Sequence, residues 1–182
     1  HERQAYRYFV GNGIPKLVER LAPADQRTPA VLEAALADFK RDYGQHLRDT
    51  TAPYPGIPEM LAKLKANDVQ LAVFSNKADA LAKEVVKDYF GTQYFTIVRG
   101  QMTGVAPKPA AEGTNALLQT LHADPASTLY VGDSNVDVET AHNANLPCCG
   151  AVWGFRTREE LNAAGAEYLA ENSDELYDVI MK

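Results

Sequence analysis

From Pro58 to Lys182, short apolar runs alternate with amphipathic stretches, and this alternation leaves the chain very few folds. The runs Val69 to Phe74, Phe95 to Val98, Leu129 to Val131, Cys148 to Trp153 and Glu167 to Leu169 have the length and content of buried strands. Between them, Pro58 to Asn67, Asp79 to Tyr89, Ala110 to Leu121, Val136 to Ala144, Arg158 to Ala164 and Asp174 to Met181 read as helices. Strand and helix in turn, with short connections, predict an α/β fold built on a doubly wound parallel sheet. No internal repeat or low-complexity tract interrupts the pattern.

The opening third is different, because it is helical throughout. Glu2 to Val10 and Pro15 to Ala22 suit two helices separated by Gly11-Asn12-Gly13, and a third runs from Thr28-Pro29 to about Arg48 with Val31, Leu32, Ala35, Leu36 and Phe39 on one face. The run Ala52 to Pro58, APYPGIP, stops every helix and reads as a hinge. The predicted organisation is therefore a helical unit over 1–52 and an α/β core over 53–182. A chain of 182 residues, 46% hydrophobic and 23% charged, can hold one ordinary core and a small appendage. Its net charge of -6, with no cluster of Lys and Arg, argues against a nucleic-acid surface. No apolar run approaches a membrane span. Cys148 and Cys149 are adjacent in an apolar stretch, which suits buried small hydrophobes better than a disulfide and points to a reducing cytoplasm.

The chemistry begins at Leu129 to Asp137, LYVGDSNVD. The strand stops at Gly132 and places Asp133 at its carboxyl end, where open α/β sheets bind ligands. Asp137 falls four residues on, in the first turn of the next helix, so both carboxylates can face one crevice. Paired acids there would repel an anionic substrate unless a hard divalent cation, most simply magnesium, lay between them. The competing reading is an Asp-Ser loop that only caps the helix. A calcium loop fails, because its turn glycine is Val138 and its closing glutamate is Ala144. At the end of another strand, Ser75-Asn76-Lys77 offers either a helix cap or a phosphate cradle of hydroxyl and backbone N–H groups. Lys108, between two prolines in APKPA, precedes a helix and could reach an anion as a point charge.

Hydroxyl, lysine and paired acids, in that order and each at the end or start of an element, supply an anion cradle, a cation and a metal site for phosphoryl transfer. Here the sequence resembles the haloacid dehalogenase superfamily of phosphatases, and within it the phosphoglycolate phosphatases. Ser75 matches the second motif, Lys108 the third, and Gly132-Asp133 with Asp137 the fourth; FVGNG resembles the family's small cap, TAPYPGIPEML its hinge, and Trp153 to Phe155 its late loop. The resemblance implies a Rossmann-like core with a small all-helical cap. It implies that Ser75 and the Asn76 backbone bind the transferring phosphoryl group and that Lys108 neutralises it. Asp133 would ligate Mg2+, and Asp137 would be either an outer partner of the ion or a brace for Lys108. From the cap, Asn12 and Gly13 would face the active site, with Lys16 a partner for a substrate carboxylate; on the residues alone, Gly11-Asn12-Gly13 is a helix-helix turn. Trp153 and Arg156 read as packing and surface residues, and His1, His46, His122 and His142 show no metal spacing.

Two departures from the family pattern carry expectations. After Lys108-Pro109 the family continues with Asp-Pro, whereas Ala110-Ala111 stands here, so the next helix should lack its cap. The family's first motif, Asp-x-Asp at the end of its first and central strand, supplies the nucleophile and the general acid-base, and no Asp-x-Asp occurs in these residues. Leaving that central slot empty would strand backbone groups at ~1–3 kcal/mol each, a sum on the order of a domain's whole stability. The expectation is therefore a piece of a longer polypeptide whose nucleophile lies outside these 182 residues, and which alone is inactive. The expected activity is hydrolysis of a small phosphorylated acid such as 2-phosphoglycolate, with that metabolite as partner, a homodimer as the assembly to test, and neither nucleic acid nor membrane. A phosphosugar mutase would carry a second acid where Gly132 stands, and a dehalogenase proper needs no metal. A non-catalytic remnant of the fold that binds a partner is the alternative of another class.

Overall fold

The computed structural model describes Glu2 and residues 5–182. The first predicted helix falls partly on Arg3 and Gln4, outside the described residues, and what is described is the single turn α1 (Tyr6–Phe9). Two longer helices follow, α2 (Ile14–Leu21) and α3 (Pro29–His46), the latter capped by the Thr28 hydroxyl, which accepts from Val31 N at 3.4 Å. The chain then turns at Gly56, whose φ is +77°; a Cβ there would lie 2.1 Å from Ser173 Oγ, so both backbone and space require glycine. Beyond it run α4 (Ile57–Ala66), β1 (Leu71–Ala78), α5 (Asp79–Phe90), β2 (Phe95–Gln101), α6 (Glu112–Leu121), β3 (Tyr130–Gly132), α7 (Asn135–Asn143), β4 (Cys148–Ala151), α8 (Arg158–Ala163), β5 (Tyr168–Ala170) and α9 (Ser173–Ile180).

Every strand pairing is parallel. The strands do not form one sheet, however. β1 pairs with β2, and β4 stands between β3 and β5; among the described residues no backbone hydrogen bond joins β1 to β3. Both sheets nevertheless share one apolar layer. Met60, Leu61 and Leu64 of α4 and Leu176 of α9 pack with Cys149, and Leu71 of β1, Phe95 of β2 and Leu129 border the same cluster. On the opposite face Val138 and Ala141 of α7 and Leu161 of α8 enclose Cys148, with Leu118 of α6 beside them. The adjacent cysteines thus point to opposite faces of β4, as strand periodicity demands, and both are free and buried. Helices on both faces of parallel strands make this a doubly wound, Rossmann-like architecture.

Two local differences from the sequence reading matter for the site. β1 runs on to Ala78 instead of ending at Phe74, and its register with β2 breaks between Phe74 and Ala78. Ser75 to Lys77 therefore occupy an irregular strand segment, not a helix cap, and such breaks re-aim side chains near active sites. The helix after Lys108 starts at Glu112, and Ala111 at its N-cap makes no side-chain cap bond, as the missing Asp-Pro foretold.

Candidate active site

The strand ends meet under α2 and α3 at a cavity of about 470 Å³ lined by Ser75, Asn76, Lys77, Lys108, Asp133, Ser134, Asp137 and Arg156, with Gly11 and Gly13 on the helical side. Ser75, Lys108 and Asp133, far apart in sequence, are brought to one rim. Val10, Ile14, Leu17, Phe39 and Phe155 give this cavity a largely apolar wall. Excluding water strengthens any charge interaction made inside.

Asp133 leaves the end of β3 as the backbone turns into α7. Its Oδ2 accepts from Phe155 N at 3.2 Å and its carbonyl accepts from Arg156 N at 3.1 Å. Gly154 is held against it so closely that a Cβ would lie 2.2 Å from Asp133 Cβ. Burial, and then the charge of Asp137, push the Asp133 carboxyl above the usual carboxylate range. Among the described residues no cation pairs with it.

Asp137, at the third position of α7, has both oxygens committed. Oδ1 accepts from Lys108 Nζ at 2.6 Å, while Oδ2 accepts from the Ser134 hydroxyl at 2.6 Å, Ser134 N at 3.1 Å and Asp133 N at 3.2 Å. This is a capping box, joined to a buried ion pair whose side chains are 11% and 9% exposed. Of the two roles the resemblance left open, Asp137 takes that of brace for Lys108. In this structure helix capping and Lys108 are what the Asp137 oxygens serve. A Cβ on Gly132 would lie 2.1 Å from Asp137 Cβ, so the position before Asp133 has no room for the second acid of a mutase.

Lys108 spans the space between the two sheets. Its ammonium donates to Asp137 and, at 3.4 Å, to the Phe74 carbonyl, and it lies 5.9 Å and 6.0 Å from the Phe74 and Tyr130 ring centroids. Burial pulls its pKa down, but Asp137 and Tyr130 outweigh that and hold it above the ordinary lysine value, so the charge is secure. The Tyr130 hydroxyl is pushed up to about 12 by burial; among the described residues it has no partner in hydrogen-bond geometry, and the nearby Lys108 charge pulls the other way. Ser75 Oγ accepts from Lys77 N at 3.1 Å, which leaves its own proton to donate to a ligand oxygen. Asn76, 9% exposed, is a tie: its Nδ2 donates to Gly11 O at 2.8 Å and Lys108 O at 3.2 Å, and its Oδ1 accepts from Lys108 N at 2.8 Å. One amide thus locks the helical unit and the Lys108 loop to β1.

The remaining expectations divide. Gly13 faces this cavity, but Asn12 and Lys16 line a second one of about 770 Å³ bounded by α2, α3 and the segment after β2. Lys16 is exposed and paired with Glu19 at 2.8 Å, and it does not line the Ser75 cavity. Arg156 is no surface residue: at 9% exposure it donates to Arg7 O at 2.6 Å and lies 4.7 Å from the Tyr8 ring, while Arg7 donates to Gly154 O at 2.7 Å. Sequence reading placed Lys77 in the Ser75-Asn76-Lys77 cradle but gave its side chain no role, and it missed Arg156 and Tyr43 as cavity residues. Nothing local marks Tyr43.

A magnesium ion suits what stands here, since Asp133 is a half-buried carboxylate with no ion-pair partner among the described residues, and this ion commonly takes one or two carboxylates, water and substrate oxygens. Asp133 would hold it, and it would supply positive charge to the oxygens of a bound phosphoryl group. Among the described residues no group of three or more His, Cys, Asp and Glu gathers to form a metal cage.

Parallel strands with helices on both faces, and acid, ammonium and hydroxyl gathered at the strands' carboxyl ends, define the class: a doubly wound α/β protein with a site built for an anion beside a cation. The chain belongs to the haloacid dehalogenase-like hydrolase family, whose model matches residues 1–151. It is 29% identical over 159 residues to a phosphoglycolate phosphatase of Mesorhizobium japonicum, covering 86% of this chain and 70% of that protein. To a phosphoglycolate phosphatase of Neisseria meningitidis it is 32% identical over 150 residues, covering 81% and 64%. The chain thus spans about two thirds of such relatives' length. Among solved structures, a Lactobacillus delbrueckii subsp. bulgaricus protein provisionally described as a phosphoglycolate phosphatase superposes with a TM-score of 0.91 at 26% identity, over 99% of this chain and 83% of that one.

Proposed function

We propose that this protein is a phosphatase that hydrolyses the phosphate monoester of a small acid, 2-phosphoglycolate first among candidates, with Mg2+ and through a phosphoaspartate formed on a residue outside these 182. The observation that carries the reading is the convergence of Ser75, Lys108 and Asp133 on one half-enclosed cavity, with Asp137 spent on holding Lys108. The names of the relatives supply the substrate class. Ser75 donates to a phosphoryl oxygen, Lys108 neutralises the developing charge with its remaining N–H, and Asp133 holds the metal. β1 and β3 end their sheets without pairing to each other, and Lys108 reaches the Phe74 carbonyl of β1 and Asp137 beyond β3, which suits a strand bringing the nucleophilic aspartate next to Lys108.

Hydrolysis of 2-phosphoglycolate and p-nitrophenyl phosphate by the full natural gene product, with magnesium and with chelator, tests this. Magnesium-dependent release of phosphate is the expected result, and its absence from an intact, folded product sinks the reading. The lack of any Asp-x-Asp in these residues favours one other reading, a binding protein without catalysis. That reading is distinguished by phosphate binding that persists while hydrolysis stays at background.

A further inference from the structure

Five charged side chains line the cavity, and four have their roles on the page. Lys108 and Asp137 neutralise each other, Asp133 is the metal-holding acid, and Arg156 is turned onto the Arg7 carbonyl and the Tyr8 ring. Lys77 is left. Among the described residues it makes no ion pair; its ammonium donates to the Tyr43 hydroxyl and lies 4.5 Å from that ring's centroid. A half-buried ammonium whose partner is a neutral phenol still lacks an anion. Its position is fixed from two sides, by the irregular end of β1 and by Tyr43 on α3, so the charge is held in place before any ligand arrives.

We propose that Lys77, positioned by Tyr43, is the specificity residue of this site and binds the substrate's second anionic group, a carboxylate, while Ser75 and Lys108 take the phosphoryl group. The inference rests on the phosphatase reading and deepens it. Ser75 and Lys77 both line this one cavity, at the irregular end of β1. Lys77 also explains why the pocket is walled from α3: Phe39 and Tyr43 stack at 5.4 Å, and that pair backs the ammonium with apolar surface.

The test compares 2-phosphoglycolate with ethyl phosphate, which matches it in size and lacks the carboxylate. Both are titrated calorimetrically in the presence of magnesium. The wild-type protein should prefer 2-phosphoglycolate by about 10- to 100-fold, the value of one charge-assisted hydrogen bond. Lys77→Met should bring that ratio close to one, and Lys77→Arg should restore most of it. Equal loss of both ligands in Lys77→Met would place Lys77 on the phosphoryl group and overturn the proposal; an unchanged ratio would overturn it as well. A wild-type protein that binds neither ligand would instead defeat the phosphatase reading on which this one stands.

Discussion

Burial and the neighbouring Asp137 both disfavour the charged form of Asp133. Its carboxyl is raised by burial and by Asp137, so the folded state holds that proton more tightly than the unfolded chain does. The contribution to stability is most favourable below the ordinary carboxylate pKa of about 4 and declines as pH climbs from there through the raised folded value. Asp133→Asn keeps an oxygen for Phe155 N and removes the charge. In metal-free buffer at neutral pH the variant should melt above the wild type, with the gap closing near pH 4. Magnesium should raise the melting point of the wild type alone, by about 2.7 kcal/mol of stability at a hundredfold excess over its Kd. A variant that melts lower than wild type at neutral pH would show that Asp133 is already satisfied without an ion.

At the scale of elements, the join between α3 and α4 is set by one residue. Gly56 combines a left-handed φ of +77° with contact against Ser173 at the start of α9. Gly56→Ala should cost about 1–3 kcal/mol from the backbone alone, measured by urea unfolding. The double variant with Ser173→Ala should recover the steric part and leave the backbone part. If Gly56→Ala unfolds at the wild-type midpoint, the turn is not constrained as described. The elements themselves were readable because their signals are local: apolar runs for strands, Thr28-Pro29 before a helix, and Ala110-Ala111 where a cap is missing. The irregular end of β1 was not readable, since SNKA carries no marker that distinguishes a strand with a register break from a turn into a helix.

The whole molecule is two parallel sheets bound into one body by common apolar layers and by polar ties between α1 to α3 and the strand ends. β4 is the most enclosed strand, and its thiols report on the whole. Burial pushes Cys148 up to about 12 and Cys149 up to about 11, and both side chains are fully buried. Reaction with an aromatic disulfide reagent should be negligible in native buffer and should follow the global unfolding transition in urea. Fast native labelling would mean that β3 to β5 open separately from the rest. By itself, the order of residues determined the alternation of strands and helices and the placement of Asp133 and Lys108 at element boundaries, because periodicity and chain punctuation act over a few residues. Tertiary structure alone decided that Asp137 pairs with Lys108, that Lys16 pairs with Glu19 while Lys77 lines the cavity, and that Arg156 donates to the carbonyl of Arg7. Those choices depend on which groups 29, 34 or 149 positions apart come within hydrogen-bond reach, and only the packing of the whole chain sets that distance.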